Sequence, residues 1–554
     1  MEDFVEKIAL ENACKYGGKA NPKALIGSVI REYPDAKNNM QQVMQTIESV
    51  VSKVNALSND EQVARLEELG GPQQKKQKSD ELKDLDQAKH GNVVMRFAPS
   101  PSGPMHIGHA ITGGLTALYV KKYGGKFILR IEDTNAQKID SQAYDLLQED
   151  AKWIFSQVDE VIIQSDRMKL YYDMAKDMLQ NGSLYVDTSS VEEFAQCVEK
   201  QIDPESKKAS PKEQLQRFEK MLDGTYKEGQ AVVRFKGDMA HKNPAMRDFP
   251  LLRISEVVHP RQGKTYRVWP LMNFSVFVDD LHSGMTHVIR AKDHADNAKR
   301  QELLFAAVGK NPPVSYFTGR YKFTGLELSA SKTREKIAKG EFTGWQDIRL
   351  PFLQPLKRRG YQAQAFLSYA KANGLSRVDK VVAAQEFFQT IDALNKRIID
   401  PIAKRFFFVE KPVQLRIDIQ QQVVLSILPE KTDGRVMNVD SLIFIEQADE
   451  HLLQKGVVRL ADFVNIEQTT VISKTYDEYK SHKSKAGIIH WLPAQQDQLV
   501  TVHIHMPDAS IKKGVGEKTI SQCKVGDIVQ FERFGFCRLD QIKDGVYNFW
   551  FGHK

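Results

Sequence analysis

The sequence has few cysteines and no long hydrophobic run. Its four cysteines, Cys14, Cys197, Cys523 and Cys537, never approach C-x-x-C spacing. This pattern indicates neither a disulfide framework nor a cysteine zinc site, so no zinc is expected. The longest apolar runs, such as residues 423–428, are far shorter than the roughly 20 residues that cross a bilayer. We therefore expect no association with a membrane.

The first residues, 1–4, are acidic and lack the basic-then-apolar pattern of a secretion signal, so we expect a cytoplasmic protein. A hydrophobic content of 41% and a charged content of 27% are typical of a globular enzyme and exclude a disordered or fibrous chain. The net charge of +7 over 554 residues is too mild to separate a nucleic-acid-binding surface from an ordinary basic one. Locally, residues 357–359 and 480–485 concentrate positive charge suited to phosphate, although a solvated charged face is the alternative.

A chain of 554 residues predicts three to five domains. Residues 1–70 show the apolar spacing of amphipathic helices, with Asn21 and Pro22 placed to begin one of them. From residue 72 to 92 the sequence is polar and rich in Lys and Gln, which predicts a linker.

From Val93 onward, short apolar strands alternate with helices. Strands are expected at residues 93–97 and 126–131, with a helix at 105–123 between them, and further strand-like runs occur at 276–278 and 288–289. This alternation predicts a parallel, doubly wound sheet. From residue 405 onward, short strands separated by turns predict β-barrels or a sandwich.

One segment carries most of the chemical information. It consists of Pro99, Ser100, Pro101, Ser102, Gly103, Pro104, Met105, His106, Ile107, Gly108 and His109. It follows a strand that ends at Phe97 and opens a helix near Pro104. The free N–H groups and positive dipole of a helix start suit phosphate, and Gly108 lets a nucleotide approach the backbone. Two imidazoles three residues apart can donate hydrogen bonds to ATP phosphates as charge develops. The alternatives are a chance pair of histidines or a metal site.

This segment closely resembles the HIGH signature of class I aminoacyl-tRNA synthetases in the form found in the glutamyl and glutaminyl branch. Similarity continues in RIEDTN at residues 130–135, VDD at 278–280 and MTHVIRAKDH at 285–294, which resemble later parts of that branch's sheet. The helical N-terminal region with ENACKYGGKA at residues 11–20 is similar to archaeal and eukaryotic-type glutamyl enzymes. Bacterial glutamyl enzymes carry a helical anticodon domain, so the strand-rich tail indicates the archaeal type.

The resemblance implies an α/β multidomain fold. Its centre would be a Rossmann-like nucleotide-binding catalytic domain, in two halves at residues 93–186 and 251–325. The remaining parts implied are a helical N-terminal extension at 1–71, a linker at 72–92, an acceptor-end-binding insertion at 187–250, a KMSKS-like loop with a helical stem-contact region at 326–400, and anticodon-binding β-barrels at 401–554.

The resemblance also implies a second loop that acts on the pyrophosphate, here in the stretch ELSASKTR at residues 327–334. The family's two usual lysines are replaced by Glu327 and Ala330. Lys332 is expected to supply the missing charge, with Ser329 and Ser331 as hydrogen-bond donors to phosphate. The loop as predicted comprises Leu328, Ser329, Ala330, Ser331 and Lys332.

By resemblance, Arg96 and Arg290 hold the carboxylates of the amino acid substrate, and Arg96 is assigned to the γ-carboxylate. Arginine suits this role because it offers paired N–H donors and is always charged. Ser100 and Glu132 are expected to hold the α-amino group. The tyrosine that usually lines this pocket is replaced by Met272, and Asn273 or Phe274 would compensate.

The function implied is a glutamate–tRNA ligase that uses ATP, with Mg²⁺ accompanying the nucleotide, and that charges tRNA(Glu). Within the branch, the alternatives are a glutaminyl-tRNA synthetase and a non-discriminating glutamyl enzyme that also charges tRNA(Gln). Outside it, the alternatives are another nucleotidyltransferase with an H-x-G-H helix start, or a silent tRNA-binding protein. The sequence leaves open the oligomeric state and whether a protein partner binds the N-terminal helices.

Overall fold

The computed structural model describes residues 1–15, 17–69, 71, 81–429 and 431–554. The chain divides into two compact units, Met1–Glu81 and Leu82–Lys554. Of the predicted linker at residues 72–92, residues 72–80 lie outside the described residues. Every helix in the described ranges is too short or too polar to cross a bilayer.

The first unit is helical in its described part, as the apolar spacing predicts. Asn21 caps the second helix by accepting a hydrogen bond from the Lys23 backbone N–H, and Pro22 occupies the first turn. One face of the third helix is buried among the other helices through Val43, Ile47, Val50, Val51 and Val54. The helices are α1 (Glu2–Lys15), α2 (Pro22–Glu32), α3 (Met40–Asn55) and α4 (Asn59–Glu68).

The second unit begins with parallel strands separated by helices. These elements are β1 (Val94–Phe97), α5 (Ile107–Tyr123), β2 (Lys126–Ile131), α6 (Ala143–Phe155), β3 (Glu160–Ile163) and α7 (Met168–Gln180). Strand β2 lies between β1 and β3 and is parallel to both. The carboxyl ends of β1 and β2 therefore share one edge of the sheet, where ligands of open α/β sheets bind.

An antiparallel insertion follows. It comprises β4 (Leu184–Asp187), α8 (Val191–Lys200), α9 (Pro211–Leu222), β5 (Val232–Phe235), β6 (Pro250–Ile254) and β7 (Val268–Pro270). The four strands pair in sequence order, and their apolar faces form a core with α7 and α9. The predicted insertion at residues 187–250 therefore includes part of a sheet that extends to Pro270.

Parallel strands and helices then resume through α10 (Met272–His282), β8 (His287–Ala291), α11 (Ala295–Ala307) and β9 (Val314–Thr318). Strand β8 pairs in parallel with β9, and Thr286, just before it, hydrogen-bonds Val94 of β1 through its backbone N–H and hydroxyl. The predicted strand at residues 276–278 is wrong, because these residues lie inside α10. Every residue from 273 to 280 is buried, including polar Asn273, Ser275, Asp279 and Asp280, so the segment has no exposed face and its sequence shows no amphipathic helical periodicity.

A region of helices with one small sheet leads to the C-terminal part. Its elements are β10 (Tyr321–Thr324), α12 (Ala330–Ala338), α13 (Leu353–Arg358), α14 (Ala363–Asn373), β11 (Lys380–Ala383) and α15 (Ala384–Ile399). Strands β10 and β11 pair in parallel, and β11 is a strand within the region 326–400 that was predicted to be helical. Helix α14 packs along α5, the helix that follows the signature turn.

The C-terminal part is built of strands, as predicted. These are β12 (Lys404–Phe406), β13 (Phe408–Glu410), β14 (Pro412–Leu428), β15 (Lys431–Glu446), β16 (Val457–Leu460), β17 (Asn465–Glu467), β18 (Thr470–Ser473), the short helix α16 (Tyr476–Ser481), β19 (Lys485–Ile489), β20 (Leu492–Pro493), β21 (Leu499–His505), β22 (Ile511–Glu517), β23 (Ile528–Phe531), β24 (Gly535–Lys543) and β25 (Val546–His553). A seven-stranded sheet runs in the order β12-β23-β24-β25-β21-β22-β13. Only Phe407 separates β12 from β13 at opposite edges, so this sheet is a nearly closed barrel.

The packing of α5 against α6 yields a test of the core. A Cβ atom on Gly113 would lie 2.4 Å from Phe155 Cζ and 3.1 Å from Phe97 Cδ2. We expect Gly113→Ala to destabilise the second unit by about 1–3 kcal/mol through overpacking, which exceeds the roughly 1 kcal/mol that alanine contributes as a better helix former. Tryptophan fluorescence during urea unfolding measures this, because all five tryptophans lie in the second unit.

The matched variant is Phe155→Leu, which removes the ring that Gly113 faces. The double variant should lose less stability than the sum of the losses in the two single variants, because the smaller side chain at position 155 makes room for the new methyl group. Strictly additive losses would show that Phe155 is not what keeps this position small.

Candidate active site

The signature turn connects the end of β1 to the start of α5. The helix begins at Ile107, and His106 is its N-cap, so the prediction that the helix opens near Pro104 is wrong by about three residues. His106 Nδ1 accepts a hydrogen bond from the Gly108 backbone N–H at 3.1 Å. His109 Nδ1 accepts a longer one, 3.4 Å, from the His106 backbone N–H. In this reciprocal cap, two imidazoles take the places of the usual hydroxyl and carboxylate.

The two rings lie one on the other, with centroids 3.8 Å apart and planes 19° apart. Burial lowers the pKa of His106 to about 4. Burial, and then the charge that His106 would carry, lower the pKa of His109 well below its ordinary value. Both imidazoles are therefore neutral at physiological pH. Because Nδ1 accepts in each ring, the proton lies on Nε2, and each histidine keeps one donor.

The second predicted loop lies against this turn. A Cβ atom on Gly103 would lie 2.8 Å from the Trp345 ring and 3.1 Å from Cβ of Ala330. Trp345 is fixed in turn by a hydrogen bond from its Nε1 to Asp140, 3.1 Å long. The structure thus brings the two predicted signatures into contact through a glycine. Trp345 was not predicted, because its sequence position carries no motif.

Ala330 begins α12, and Ser329 caps this helix by accepting from the Lys332 backbone N–H at 3.4 Å. The Lys332 side chain is 68% exposed, and its Nζ lies 3.4 Å from Glu327 Oε2. Glu327 also accepts from the Ser329 N–H at 3.0 Å. Glu327, which stands where the family has its first lysine, therefore forms an ion pair with Lys332, the lysine expected to supply the missing charge.

A pocket of about 220 Å³ lies beside the ends of β1, β2 and β8. Its lining includes Arg96, Glu132, Met272 and Arg290, four of the residues that sequence reasoning associated with the amino acid. Ser100 is exposed and is not part of this lining. Phe274 is buried in the core of the insertion, whereas Asn273 accepts from Gln301 of the lining at 3.4 Å.

A buried ion network lies directly behind the pocket. Asp280 Oδ1 is 2.5 Å from Arg130 Nη1 and 3.6 Å from Arg96 Nε. Arg130 also donates from Nη2 to Glu132 Oε1 at 3.0 Å. Burial alone would raise the pKa of Asp280, but Arg130 and Arg96 lower it below its ordinary value. Arg130 and Asp280 lie within the RIEDTN and VDD motifs, but no role was predicted for either residue.

The network leaves positive charge in excess. Four guanidinium groups, those of Arg96, Arg130, Arg167 and Arg290, lie with three carboxylates, those of Glu132, Asp279 and Asp280. Among the residues that the structure describes, the buried Nε atoms of Arg96 and Arg290 have no hydrogen-bond partner, and Arg290 Nη1 donates to the neutral amide of Gln301. Burial lowers the pKa of Arg290 to about 10, and burial also lowers that of Arg96. Since buried charges are stable only when paired, this pocket is suited to an anionic ligand.

Comparison with known proteins identifies the family. A model of the catalytic domain of class I tRNA synthetases (E and Q) matches residues 92–396, more than half of the chain. Two models of the anticodon-binding domain of the same group match residues 403–484 and 488–540. The chain belongs to this family. The synthetase is therefore a ligase that uses ATP and binds tRNA, and the predictions of its class and of its α/β multidomain fold are confirmed.

Curated relatives match the synthetase over its whole length. A protein of Methanocaldococcus jannaschii named glutamate–tRNA ligase is 40% identical over 564 residues, covering 100% of both chains. The protein of the same name from Methanobrevibacter smithii is 39% identical over 566 residues, again covering 100% of both. The solved glutamate tRNA ligase of Elizabethkingia meningosepticum aligns with 56% of this chain and 70% of its own, at 20% identity and a TM-score of 0.38, and adds no further argument. The predicted resemblance to archaeal-type glutamyl enzymes is confirmed.

The two signature histidines allow a direct test by titration. Because their pKa values are lowered, His106 and His109 should stay neutral between about pH 7.5 and 5.5, whereas an ordinary histidine gains a proton near 6.5. Histidine-labelled protein observed by NMR should show two Cε1–H signals that do not move in this range. His106→Gln and His109→Gln assign these signals. A midpoint near 6.5 for either signature histidine would contradict the neutral tautomer derived above.

Proposed function

We propose that this synthetase joins glutamate to tRNA(Glu). In the first step the α-carboxylate of glutamate attacks the α-phosphorus of ATP, which forms glutamyl-adenylate and releases pyrophosphate. In the second step the terminal ribose hydroxyl of tRNA attacks the adenylate, which gives glutamyl-tRNA and AMP. The observation that carries the choice of glutamate is the excess of buried guanidinium charge at the pocket formed by Arg96, Glu132 and Arg290. Full-length similarity to proteins named glutamate–tRNA ligase supports it.

Arg96 is proposed to bind the γ-carboxylate, with Arg290 beside it. A carboxylate there would balance the uncompensated cation, whereas the neutral amide of glutamine would not. Glu132 is proposed to bind the α-amino group, because both bonds from Arg130 use Oε1 and leave Oε2 able to accept. The role of Ser100 stays a prediction, since its exposed side chain does not line the pocket.

His106 and His109 are proposed to stabilise the ATP phosphates through their Nε2–H donors. A neutral donor held in place by its own backbone cap costs no reorganisation as charge develops on the phosphates. The remaining signature residues shape the turn, with the Pro99 and Pro101 carbonyls accepting from the Glu132 and Asp140 N–H groups. The positive end of the helix α5 dipole adds to this site.

The second loop is proposed to act on the leaving pyrophosphate through Lys332, Ser329 and Ser331, with Leu328 and Ala330 placing it against the signature turn. No group of three or more His, Cys, Asp or Glu side chains within the described ranges is positioned to hold a metal. Mg²⁺ is therefore proposed to enter with ATP, bound to its phosphates. The predicted cytoplasmic location stays a prediction.

For tRNA, the proposed division follows the predicted domains. The insertion at residues 187–250 would hold the acceptor end, the region at 326–400 the stem, and the barrels at 401–554 the anticodon. The match of residues 403–484 and 488–540 to anticodon-binding domains supports the last of these. A barrel surface suits single-stranded bases that are splayed apart and stacked.

The proposal is tested by ATP–pyrophosphate exchange and by charging assays with purified tRNA(Glu) and tRNA(Gln). We expect glutamate-dependent exchange that is strongest with tRNA present, and charging of tRNA(Glu). Exchange that depends on glutamine rather than glutamate would contradict the assignment.

Arg96→Ala tests how the amino acid is selected. If Arg96 binds the γ-carboxylate, its removal leaves that charge buried and unpaired, at a cost of roughly 3–5 kcal/mol. The kcat/KM for glutamate should therefore fall at least roughly 10²-fold, and the weak activity with glutamine should fall much less. Arg96→Lys should restore little, because a point charge cannot replace paired donors. Parallel losses for both amino acids would instead place Arg96 at the shared α-carboxylate or at ATP, and make Arg290 the specificity residue.

Lys332→Ala tests the second loop. Loss of a cation aimed at the leaving group should slow adenylate formation about 10²-fold. The matched control is Lys336→Ala, one turn further along α12, where the ammonium group lies 5.9 Å from the centre of the Phe342 ring. Glu327→Gln, which releases Lys332 from its ion pair, should not slow the reaction. Equal losses for Lys332→Ala and Lys336→Ala would show that the loop acts through its backbone and hydroxyl groups.

A further inference from the structure

Asp150 of α6 is a buried carboxylate outside the residues assigned so far. Its residue exposure is only 1%, and both of its oxygens are engaged. Oδ2 accepts from the Met105 backbone N–H at 2.8 Å, and Oδ1 accepts from Gln354 Nε2, also at 2.8 Å. Asp150 therefore links the signature turn to α13, although neither it nor Gln354 lines the amino acid pocket.

The other main-chain group of Met105 is held as well. Its carbonyl oxygen accepts from the Leu353 N–H at 2.8 Å, and the next residue, His106, forms an antiparallel bridge with Phe352. Met105 itself is fully buried. The residue that precedes the N-cap histidine is thus fixed from two sides, by α6 through its N–H and by the start of α13 through its C=O. Gln354 of α13 donates to Asp150 of α6, so the signature turn, α6 and α13 form a triangle in which each is hydrogen-bonded to the other two.

Asp150 has no ion-pair partner among the residues that the structure describes. The nearby charges are Lys357 on α13, which favours its ionised form, and Glu149 on α6, which opposes it. Burial raises the pKa of Asp150 to about 7. A buried carboxylate without an ion pair lowers the stability of the fold unless hydrogen bonds compensate for its lost hydration. Asp150 therefore stabilises the fold through the two donors that it fixes, the Met105 N–H and the Gln354 amide.

We propose that Asp150 is a positioning residue for the phosphate site, which fixes Met105 and thereby sets where the imidazoles of His106 and His109 meet ATP. This inference rests on the proposed function, because it assigns Asp150 an effect on adenylate formation. Asp150 does not touch the substrate. It acts on the transition state through the two histidines, whose placement depends on the backbone immediately before them.

The kinetic test uses Asp150→Ala and Asp150→Asn in the full-length protein with tRNA present. A small displacement of the imidazoles should cost up to about 10²-fold in the kcat of adenylate formation in Asp150→Ala. The KM values for ATP and glutamate should change little, because an interaction made only in the transition state affects kcat and kcat/KM equally. Asp150→Asn should recover most of the activity, since its amide oxygen accepts from Met105 and the Gln354 amide reverses to accept from its NH₂ group.

A double-mutant cycle with His106→Ala separates positioning from a general loss of structure. If Asp150 acts through the imidazoles, Asp150→Ala should cost far less in the His106→Ala background than in the wild type. Gln354→Ala loosens one side of the same triangle and should show a smaller loss with the same non-additivity, so it tests the inference even where Asp150→Ala does not fold.

A folded Asp150→Ala variant with wild-type kcat, or losses that are fully additive with His106→Ala, would overturn the inference. Glutamate-dependent exchange by the wild-type protein is measured in the same experiment. Its absence would refute the proposed function instead, so the two failures are distinguishable.

Discussion

The pocket depends on one buried carboxylate. Asp280 lies between Arg130 on β2 and Arg96 on β1, and it is carried by α10, which precedes β8. Without it, the guanidinium groups of Arg96, Arg130 and Arg290 would share a nearly dry space in which the remaining counter-ions are Glu132 and, 4.0 Å from Arg130, Asp279. Desolvation of such charges costs several kcal/mol each, so they stay buried because Asp280 offsets part of that cost. The incomplete balance that remains is what makes the pocket attract an anion.

The same carboxylate fixes geometry as well as charge. Arg130, held by Asp280 and by Asp279 at 4.0 Å, presents its remaining donors to Glu132. The position of Glu132 therefore depends on an ion pair that involves a residue about 150 positions later in the chain. A substitution at either aspartate is expected to disturb the amino acid site without touching the substrate.

The phosphate site is built on the opposite principle, because its chemistry relies on neutral groups. The reciprocal cap of His106 and His109 removes two backbone donors from competition and leaves two imidazole donors with a defined direction. Around this site, Gly103 packs against Trp345 and Ala330, and buried Asp150 accepts a hydrogen bond from the Met105 N–H. The first residue of α13 donates to the Met105 carbonyl. At its other end, α13 is attached to the C-terminal sheet by two 2.6 Å hydrogen bonds from Arg358 to Asp540.

Much of this could be predicted from local sequence. Turn chemistry, apolar spacing and resemblance predict the helix after the signature, although not its first residue, and also the parallel strands around it, the Asn21 cap and the strand-rich C-terminal part. The strand predicted at residues 276–278 failed because a helix buried on all sides has no amphipathic period. Trp345, Asp150 and the role of Asp280 were not predictable, because each depends on a contact between residues more than 40 positions apart. Ser100 illustrates the reverse case, in which a motif position lies outside the pocket lining.

The nearly closed C-terminal sheet has a consequence for how the chain is made. Strands β12 and β13, at residues 404–410, form its two edges, and their partners are β23 at Ile528–Phe531 and β22 at Ile511–Glu517. During synthesis, both edges therefore leave the ribosome more than 100 residues before the strands that satisfy their backbone groups. Such long-range pairing is slow to form and leaves strand edges open in the meantime. The barrel cannot be completed until the chain has been translated as far as β25, so this sheet can close only after all the elements that precede it have been synthesised.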